Sequence, residues 1–562
     1  MRKRNKQHGL EVTVVAGTSA VILSFDMSQE DARGLLGFAI EREDHTEDER
    51  YFLKGFKYFE ETAKKVGEGQ LFTTYEHPVQ SFMWEDFSVK SAHDYSYRVI
   101  PVFGKPQKLE YGKECTLRFT TPSEETGQHS VYFNRGVAGS LAYARKFGNK
   151  RPDETHMTDK ELKEALTWLS RGLKEALLGF IEKAKDSSYK LRAAVYEFEY
   201  QPVLEAFLSA YEERGVDVHI IYDSRGEKEA NTEAINEAGL PHKILTPRTA
   251  EAEKKYIAHN KFIVLIKDEV PIVVWTGSTN ITEKGIFGQC NVGHVVRDEA
   301  IAAQYLRYWE FLKEDPLNDV IDDQTTGIQP DLNYDEFPQG VTAFFSPRSK
   351  KTILKTYADY MQHSQQLICG MFPFSFSKSM KEVIAANTDN LKYILIDKKD
   401  KNTTIETNDF DNLIVYGGYF KDGLYDWLAE THAGMLFNKT PGNIGTNFIH
   451  NKVLLIDPLS EDPIVVTGSA NFSDNSIAGN DENSLVIRGD KDVADLYFTE
   501  FVRIFNHYFV RQTAMKLADE HSDQKNPIHL KTDYRDWVPA FYNENALKYK
   551  RKMMFSNMIV PG

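Results

Sequence analysis

The sequence predicts an α/β protein built from two similar halves, preceded by an all-β region. Three observations carry this prediction. Short strand-like runs fill about the first 120 residues, and strands alternate with helices further along the chain. In addition, one histidine-containing motif recurs at matching places in the two α/β stretches. A duplicated α/β unit behind a β-sandwich is the expected architecture.

The composition is that of a folded protein with several domains. Of the 562 residues, 41% are hydrophobic and 27% are charged, which excludes a disordered or collagen-like chain. Cys115, Cys290 and Cys369 lie far apart, so a disulfide framework and a cysteine metal site are not expected. The sequence shows no signal-like or membrane-spanning apolar run, and we therefore expect a cytoplasmic protein without an integral membrane segment. The net charge of −15 disfavours general attraction to phosphate polymers but allows a local basic groove.

Residues 1–122 are predicted to form an antiparallel β-sandwich, with a basic and frayed start. Tyr95, Tyr97 and Val99 alternate on one face of the longest strand-like run. This Tyr-x-Tyr-Arg-Val segment is similar to the penultimate strand of fibronectin type III domains. The resemblance implies an interaction module, so a protein partner for this region is possible. The predicted strands lie at 12–15, 20–25, 37–41, 94–104 and 115–120.

The rest of the chain divides into two α/β halves, at 130–320 and 341–511. Apolar residues at helical spacing predict one helix over 161–184. The alternation that follows favours a mostly parallel sheet covered on both faces. The predicted strand–helix–strand units are 191–199, 203–214 and 215–223 in the first half, and 366–371, 378–386 and 391–397 in the second. Residues 321–340 are interpreted as a linker, and 512–562 are a C-terminal extension without an assignment.

The strongest signal is a motif that occurs once in each half. The first copy has His259, Lys261, Gly277, Ser278 and Asn280, and the second has His450, Lys452, Gly468, Ser469 and Asn471. In both copies the glycine follows the histidine by 18 residues. A single His-x-Lys carries little information, but two copies with the same spacing and the same Gly-Ser-x-Asn exclude coincidence.

This arrangement resembles the phospholipase D (PLD) superfamily, whose signature is His-x-Lys-x4-Asp followed by Gly-Ser-x-Asn, twice per active site. The resemblance covers about two thirds of the chain. It implies two halves around one cleft, and phosphodiester cleavage through a phosphohistidine without metal or cofactor. An imidazole can attack phosphorus, a second can protonate the leaving oxygen, and lysines and amides can hold the phosphate oxygens. By resemblance, the catalytic residues are His259, Lys261, His450 and Lys452, and the substrate-binding residues are Ser278, Asn280, Ser469, Asn471 and Asn291.

The two copies differ at two positions, and the differences suggest roles. Asp457 is the motif aspartate of the second copy and is expected to be structural, whereas Ile266 stands at the equivalent place in the first. Glu482 and Asn291 each follow their histidine by 32 residues, and only Glu482 carries a charge. A carboxylate on an imidazole N–H raises its basicity. We therefore expect Glu482 to serve His259 from the opposite half, with His259 as the nucleophile and His450 as the general acid.

The motif indicates the reaction and leaves the substrate open between nucleic acid and phospholipid. The compact halves lack extended apolar loops for two acyl chains, which favours a nuclease. A soluble phospholipase D that hydrolyses lipid head groups is the alternative. A third possibility is a catalytically degenerate interaction or targeting protein, which Ile266 and Asn291 would favour.

Overall fold

The computed structural model describes residues 1–63, 66–67, 70–125, 127–136, 141–148, 150–249, 256–328, 336–350, 352–397, 405, 411–417, 449–520, 529–555 and 558. Every predicted segment falls partly outside these residues. The linker does so at 329–335, the second half at 351, 398–404, 406–410 and 418–448, and the C-terminal extension at 521–528, 556–557 and 559–562.

The N-terminal region consists of antiparallel sheets, which confirms the predicted all-β architecture. One sheet has the order β1-β2-β3-β8, and the other has the order β10-β9-β4-β5 with β11 also on β9. The short strands β6 and β7 pair in a separate two-stranded sheet. The resemblance to fibronectin type III domains stays a prediction. The strands are β1 (Arg2–Gln7), β2 (Leu10–Ala16), β3 (Val21–Asp26), β4 (Gly37–Asp44), β5 (Glu49–Phe52), β6 (Lys54–Gly55), β7 (Phe72–Thr73), β8 (Met83–Asp86), β9 (Asp94–Lys105), β10 (Lys108–Tyr111) and β11 (Cys115–Thr120).

Two seven-stranded sheets follow, and they have the same topology. The order is β12-β18-β17-β16-β13-β14-β15 in the first and β19-β25-β24-β23-β20-β21-β22 in the second. The duplication read from the sequence is therefore a duplication of the fold. The strands of the first sheet are β12 (His129–Phe133), β13 (Tyr189–Val195), β14 (Asp217–Asp223), β15 (Leu245–Arg248), β16 (Lys261–Lys267), β17 (Val270–Gly277) and β18 (Val292–Val296). Those of the second are β19 (Gly340–Ser346), β20 (Leu367–Phe372), β21 (Leu391–Ile396), β22 (Asn412–Tyr416), β23 (Val453–Ile456), β24 (Ile464–Gly468) and β25 (Glu482–Arg488).

The prediction of mostly parallel sheets was wrong. Only β13-β14-β15 and β20-β21-β22 run parallel, and the other neighbours in each sheet are antiparallel. Parallel strands need a crossover, whereas antiparallel strands can be joined by a tight turn. Between β16 and β17 the chain turns through Asp268 and Glu269, both with positive φ, so these two strands form a hairpin.

The helices differ from the prediction at two places. The single helix predicted over 161–184 is divided in two, because Arg171 and Gly172 adopt positive φ. The predicted linker begins inside the helix α7. The helices are α1 (Leu141–Phe147), α2 (Asp159–Ser170), α3 (Leu173–Glu182), α4 (Gln201–Glu212), α5 (Lys228–Ala238), α6 (Glu299–Lys313), α7 (Asn318–Ile328), α8 (Thr352–Gln362), α9 (Lys378–Ala385), α10 (Asp474–Gly479), α11 (Lys491–Glu520) and α12 (Leu547–Met553).

Aromatic residues of α6 and α11 join the two halves in a symmetric way. Tyr305 and Tyr308 of α6 pack on Phe345 of β19, with ring centroids 4.9 and 4.7 Å apart. Tyr497 of α11 packs on Phe133 of β12 at 5.2 Å. Each half thus contributes a helix to the edge strand of the other, and all five rings lie in one continuous core. This packing fixes the two sheets relative to each other.

The C-terminal extension, unassigned from sequence, packs on the N-terminal β region. Trp537 and Phe541 are buried against Phe82, with ring centroids 6.1 and 5.0 Å away. The backbone N–H of Leu530 donates to the carbonyl of Tyr58 at 2.8 Å. The first and last parts of the chain therefore share a core.

The basic N-terminus was predicted to be frayed, and this was wrong. Residues from Arg2 onward form β1, and the Arg2 Nε lies 2.8 Å from Asp495 Oδ1 of α11, with both side chains almost fully buried. The guanidinium also donates to the carbonyls of Pro458 and Leu459, at 2.7 and 2.8 Å. Each guanidinium nitrogen of the buried Arg2 thus has an oxygen acceptor in the second half. These contacts connect the β region to that half.

Replacing Arg2 by alanine is expected to lower the free energy of unfolding by about 3 kcal/mol, the lower end of the range for breaking a buried ion pair. The variant leaves the buried Asp495 carboxylate with the part-exposed N-terminal ammonium of Met1, 2.9 Å away, as its ion-pair partner. Urea unfolding followed by circular dichroism measures the change. Lys6→Ala, an exposed position on the same strand, should stay within about 0.5 kcal/mol of the unchanged protein. Equal stability of the two variants would show that the Arg2–Asp495 pair contributes nothing.

Candidate active site

The two motif histidines meet where the two halves touch. His259 precedes β16 and His450 precedes β23, and their ring centroids are 6.5 Å apart. Short parallel bridges pair Ala258 with Asp481 and Cys290 with Ile449, so each histidine segment runs beside the other half. Both rings are nearly inaccessible to solvent, at 5% exposure each. Two imidazoles from different halves therefore lie together in a buried region between the halves.

Each imidazole is held by an acceptor from the opposite half. The Nδ1 of His259 lies 2.8 Å from Glu482 Oε2, and the Nδ1 of His450 lies 2.8 Å from Asn291 Oδ1. Because both partners are acceptors, each Nδ1 carries the proton. The Nε2 atoms are thereby left for a substrate. Glu482 does contact His259, as the sequence comparison of the halves suggested.

The surroundings separate the two histidines electrostatically. Burial lowers the pKa of His259 to about 4, against the raising effect of Glu482. Burial also lowers the pKa of His450 to well below its usual range, the charges of Lys452 and Lys261 lower it further, and the hydrogen-bond partner of its ring, Asn291, is neutral. Burial works to raise the pKa of Glu482, but the His259 and Lys261 charges and the hydrogen bonds to this carboxylate hold it below its ordinary value. The site thus has one carboxylate-supported imidazole and one that is a stronger acid once protonated.

The two motif lysines are placed by the backbone of their own histidines. The Nζ of Lys261 donates to the carbonyl of His259, and the Nζ of Lys452 to that of His450, each at 2.7 Å. Both side chains are buried. Burial lowers the pKa of Lys261 to about 8, and it lowers the pKa of Lys452 well below the usual value. An anion in this region would restore both ammonium charges and receive their remaining N–H groups.

The glycines of the motif allow the strand ends to lie close enough for these contacts. Gly277 and Gly468 have φ of 137° and 148°, and a Cβ at either would lie 2.2 or 2.4 Å from a carbonyl oxygen of the next strand. No other residue fits there without displacing the strand. The close approach lets the N–H groups of Ser278 and Ser469 donate to that neighbouring strand, at 3.0 and 2.9 Å.

The motif serines support the histidine acceptors. Ser469 Oγ donates to Glu482 Oε2 at 2.7 Å, and Ser278 Oγ lies 2.8 Å from Asn291 Oδ1. Both serines are fully buried. Ser278 and Ser469 were predicted to bind substrate. In the structure their hydroxyls instead orient Asn291 and Glu482. Asn291, predicted to bind substrate, holds the ring of His450.

The motif asparagines each have a side-chain oxygen that is unpaired within the described residues, and their predicted contact with substrate stays a prediction. The Oδ1 atoms of Asn280 and Asn471 are buried and have no hydrogen-bond partner among the described residues. The Nδ2 of Asn280 donates to Glu197, which lies just beyond the end of β13. Glu197 was not singled out in the sequence because nothing in the motif marks it.

Two aspartates that were not predicted position the histidine segments. Asp223, at the end of β14, accepts the N–H of Ala258 at 3.0 Å. Asp397, just after β21, accepts the N–H of Ile449 at the same distance. In each half, the aspartate thus accepts the N–H of the residue directly before the histidine. The signal was present in the sequence, since the equivalent strands of the two halves both end in aspartate.

Asp457 lies at the far end of β23 from His450. Its carboxylate accepts from Ser364 Oγ and from the N–H groups of Gln365, Gln366 and Leu367, at 2.8 to 3.0 Å. It therefore joins the end of β23 to the start of β20, away from the imidazoles. Ile266, its counterpart in the first half, is buried in the core.

Within the described ranges, one group of side chains has the spacing of a metal site, and it lies in the N-terminal region. Asp44, Glu47 and His93 bring their ligand atoms within 4.8 Å of one another. Asp44 lies 3.0 Å from His93, and Glu47 pairs with Lys90. None of these residues belongs to the histidine site.

Sequence comparison identifies the family of the duplicated core. The family described as "Cardiolipin synthase, PLD-like domain" matches residues 177–312 and 358–505, together just over half of the chain. The chain belongs to this PLD-like family. Its duplicated PLD-like core is therefore that of a phosphodiester-acting protein. No curated protein matches the chain in sequence. None of the described helices is sufficiently long and apolar to span a membrane.

Three solved structures illustrate what the PLD-like core is similar to. The phosphatidylserine synthase of Haemophilus influenzae is 13% identical, with a TM-score of 0.40 over 63% of this chain and 92% of that one. The phospholipase D family member Nuc of Salmonella typhimurium is 28% identical, with a TM-score of 0.21 over 25% of this chain and 87% of that one. NucT of Helicobacter pylori is 15% identical, with a TM-score of 0.20 over 30% and 96%.

Proposed function

We propose that the protein is a metal-independent phosphodiesterase that acts through a phosphohistidine and cleaves nucleic acid. The observation that carries the reaction type is the pair of imidazoles. Their ring centroids are 6.5 Å apart, each Nδ1 is tied to an acceptor, and two lysines flank them. A phosphorus atom between the two Nε2 atoms would have a nucleophile on one side and a proton donor on the other.

The proposed reaction has two steps. His259 Nε2 attacks phosphorus, the bond to the leaving oxygen breaks, and that oxygen takes the proton of His450 Nε2. Then His450 accepts a proton from water, the water oxygen bonds to phosphorus, and the bond to His259 breaks. Lys261 and Lys452 neutralise the charge that grows on the non-bridging oxygens. Glu482 stabilises the positive imidazole ring while His259 carries the phosphoryl group.

His450 must hold a proton when the substrate is bound, although its pKa without substrate is low. Burial is the main cause, and the charges of Lys452 and Lys261 lower this pKa further. A phosphodiester adds a negative charge close to these three groups. The bound phosphate therefore raises the pKa of His450 again. Because Asn291 is neutral, the imidazolium of His450 stays a strong acid, as protonation of an alkoxide requires.

Nucleic acid is favoured by a third lysine beside the site. Lys284 lies on a turn of π-helix after β17, and its charge contributes to the low pKa of His450. Its ammonium group makes no hydrogen bond or ion pair within the described ranges, although its charge acts on nearby Glu227. The equivalent position in the second half is the neutral Asn475. A polymer presents further phosphates next to the one being cleaved, so an additional free cation suits a nucleic-acid strand.

A soluble phospholipase D is the second candidate, and Phe374 favours it. This residue lies just beyond the end of β20 and its side chain is 43% exposed. The strand registers make Ala194 of β13 equivalent to Met371 of β20. Phe374 therefore occupies the position in the second half that Glu197 occupies in the first. An exposed ring beside the cleft could meet an acyl chain.

A substrate panel in EDTA tests the proposal. Single- and double-stranded DNA, RNA and phospholipid vesicles are offered to the unchanged protein and to Lys284→Gln. We expect cleavage of nucleic acid in EDTA, with a loss of several fold in kcat/KM and a weaker salt dependence for Lys284→Gln. Cleavage of vesicles alone would establish the lipid reading. The absence of cleavage of any substrate would favour the degenerate core.

The pH dependence follows from the two pKa values that bear on the nucleophile and the phosphate site. For a nitrophenyl phosphodiester, whose leaving group needs no proton, kcat/KM should rise as the pH increases through about 4, because His259 must lose its proton to attack. It should fall above about pH 8, where Lys261 loses its charge. Initial rates from pH 3 to 10 measure the profile. An acid limb near pH 6.5 would show that the nucleophile is not the buried His259.

A further inference from the structure

A basic pocket lies between the N-terminal β region and the C-terminal segment, apart from the histidine site. It has a volume of about 170 Å³, which is room for several water molecules of about 30 Å³ each. One wall comes from the loop before β8 and from Lys57, and the other comes from Phe541 and α12. None of the residues that line it is a motif residue. They are Lys57, Gln80, Ser81, Phe82, Met83, Phe541, Lys548, Arg551 and Lys552.

Two of the four basic residues in the pocket have compensating neighbours. The Nζ of Lys552 lies 2.7 Å from Asp26 and 4.1 Å from the ring of Tyr542. Arg551 lies over the rings of Tyr393 and Phe509, 5.8 Å from each centroid, and Glu85 is the carboxylate whose charge acts on it. These two residues are parts of the packed wall.

The other cations have no carboxylate partner among the described residues. Lys57 and Lys548 form no ion pair there, and Lys548 lies over the ring of Phe541, 5.4 Å from its centroid. Lys531, whose backbone exchanges hydrogen bonds with the pocket residue Gln80, forms no ion pair with a described residue either. Lys57, Lys548 and Lys531 are exposed residues at the edge of the pocket. Partial withdrawal of the ammonium group from water nevertheless lowers the pKa of Lys548, and the charges of Arg551 and Lys531 lower it further. The same cause, together with Lys548 and Lys531, lowers the pKa of Lys57. Three like charges thus repel one another around one cavity, in a chain whose net charge is −15.

We infer that this pocket binds the phosphate group of a small phosphorylated molecule. A cavity with several uncompensated ammonium groups gains most from an anion with several oxygens, and lysine is a common phosphate ligand. The rings of Phe82 and Phe541 give the pocket apolar walls, where an organic substituent on the phosphate could lie. Occupancy would also join the β region to the C-terminal segment, since each contributes one of the two pocket lysines, Lys57 and Lys548, that form no ion pair with a described residue.

Calorimetric titration of the full-length protein with pyrophosphate, as the probe, tests this inference. Pyrophosphate should also reach the histidine site, where it would inhibit hydrolysis of a nitrophenyl phosphodiester. We therefore expect two binding events in the unchanged protein. In Lys57→Gln/Lys548→Gln, one event should weaken at least tenfold, while the inhibition constant for hydrolysis stays the same. The variant should unfold at an equal or higher temperature without ligand, because a repulsion has been removed.

Two further variants control for charge. Lys163→Gln/Lys185→Gln makes the same change at exposed positions elsewhere and should keep both binding events. Lys57→Arg/Lys548→Arg keeps the charge and should bind within about threefold of the unchanged protein. The inference fails if Lys57→Gln/Lys548→Gln binds pyrophosphate as the unchanged protein does. It also fails if Lys163→Gln/Lys185→Gln loses the binding event that is assigned to the pocket. A third contrary outcome is that a single-stranded oligonucleotide binds through Lys57 and Lys548 while pyrophosphate does not. The pocket would then be part of a nucleic-acid binding surface.

Discussion

Replacing His259 by alanine is expected to lower the turnover of any phosphodiester by about 10⁴-fold or more, the scale on which loss of a nucleophile acts. The reason is that His259 Nε2 is the atom proposed to bond to phosphorus, and no other imidazole carries a carboxylate in this site. Release of nitrophenolate from a nitrophenyl phosphodiester in EDTA measures the effect. Circular dichroism verifies that the variant is folded.

His450→Ala is the matched control, because it removes the same side chain from the other half. A nitrophenolate leaves without a proton, so this variant should still form the covalent intermediate and release about one nitrophenolate per chain. Hydrolysis of the intermediate needs the base that His450 becomes, and its loss should slow this step by about 10²–10⁴-fold. The adduct should accumulate on His259 and be located by peptide mass spectrometry. An adduct on His450 in the unchanged protein would reverse the two roles, and full activity of both variants would end the catalytic reading.

The duplicated motif was enough to predict the paired halves, because a repeated spacing around His259 and His450 reflects a repeated backbone. It also predicted which residue would reach His259, since the difference between Glu482 and Asn291 is visible when the copies are aligned. The sheets were wrongly predicted to be mostly parallel. The strand–helix alternation holds for the first strands of each half, but a two-residue turn after β16 makes the next strand antiparallel.

Long-range contacts explain what the sequence could not predict. Arg2 is buried by Asp495, and Trp537 is buried by Phe82, each across more than 450 positions of the chain. No local pattern contains such a partner, so the basic start was wrongly predicted to be frayed and the aromatic end was left without an assignment. The serines were assigned to substrate because the motif gives residue types, whereas the role of Ser469 depends on the position of Glu482, which only the folded structure gives.

The second large effect is expected for Glu482→Gln, which keeps an acceptor beside His259 and removes its charge. We expect kcat/KM at neutral pH to fall by about 10–100-fold, the range seen when a group that supports an active-site imidazole is removed. His259 is neutral in both proteins at this pH. The loss therefore comes from the phosphorylated imidazole, whose positive charge no longer has a carboxylate next to it.

The pH profile separates this role from a merely structural one. Glu482 raises the pKa of His259, so its removal should move the acid limb of kcat/KM from about pH 4 to a lower pH. Glu197→Gln makes the same chemical change at a carboxylate that contacts Asn280 and neither histidine, and it should leave the acid limb in place. If Glu482→Gln lowered the rate without moving the limb, the carboxylate would be positioning the strands rather than acting on the imidazole. If the acid limb moved equally in Glu482→Gln and Glu197→Gln, the pKa of His259 would depend on the total negative charge of the site and not on Glu482 in particular. The difference in role between His259 and His450 would then need another cause.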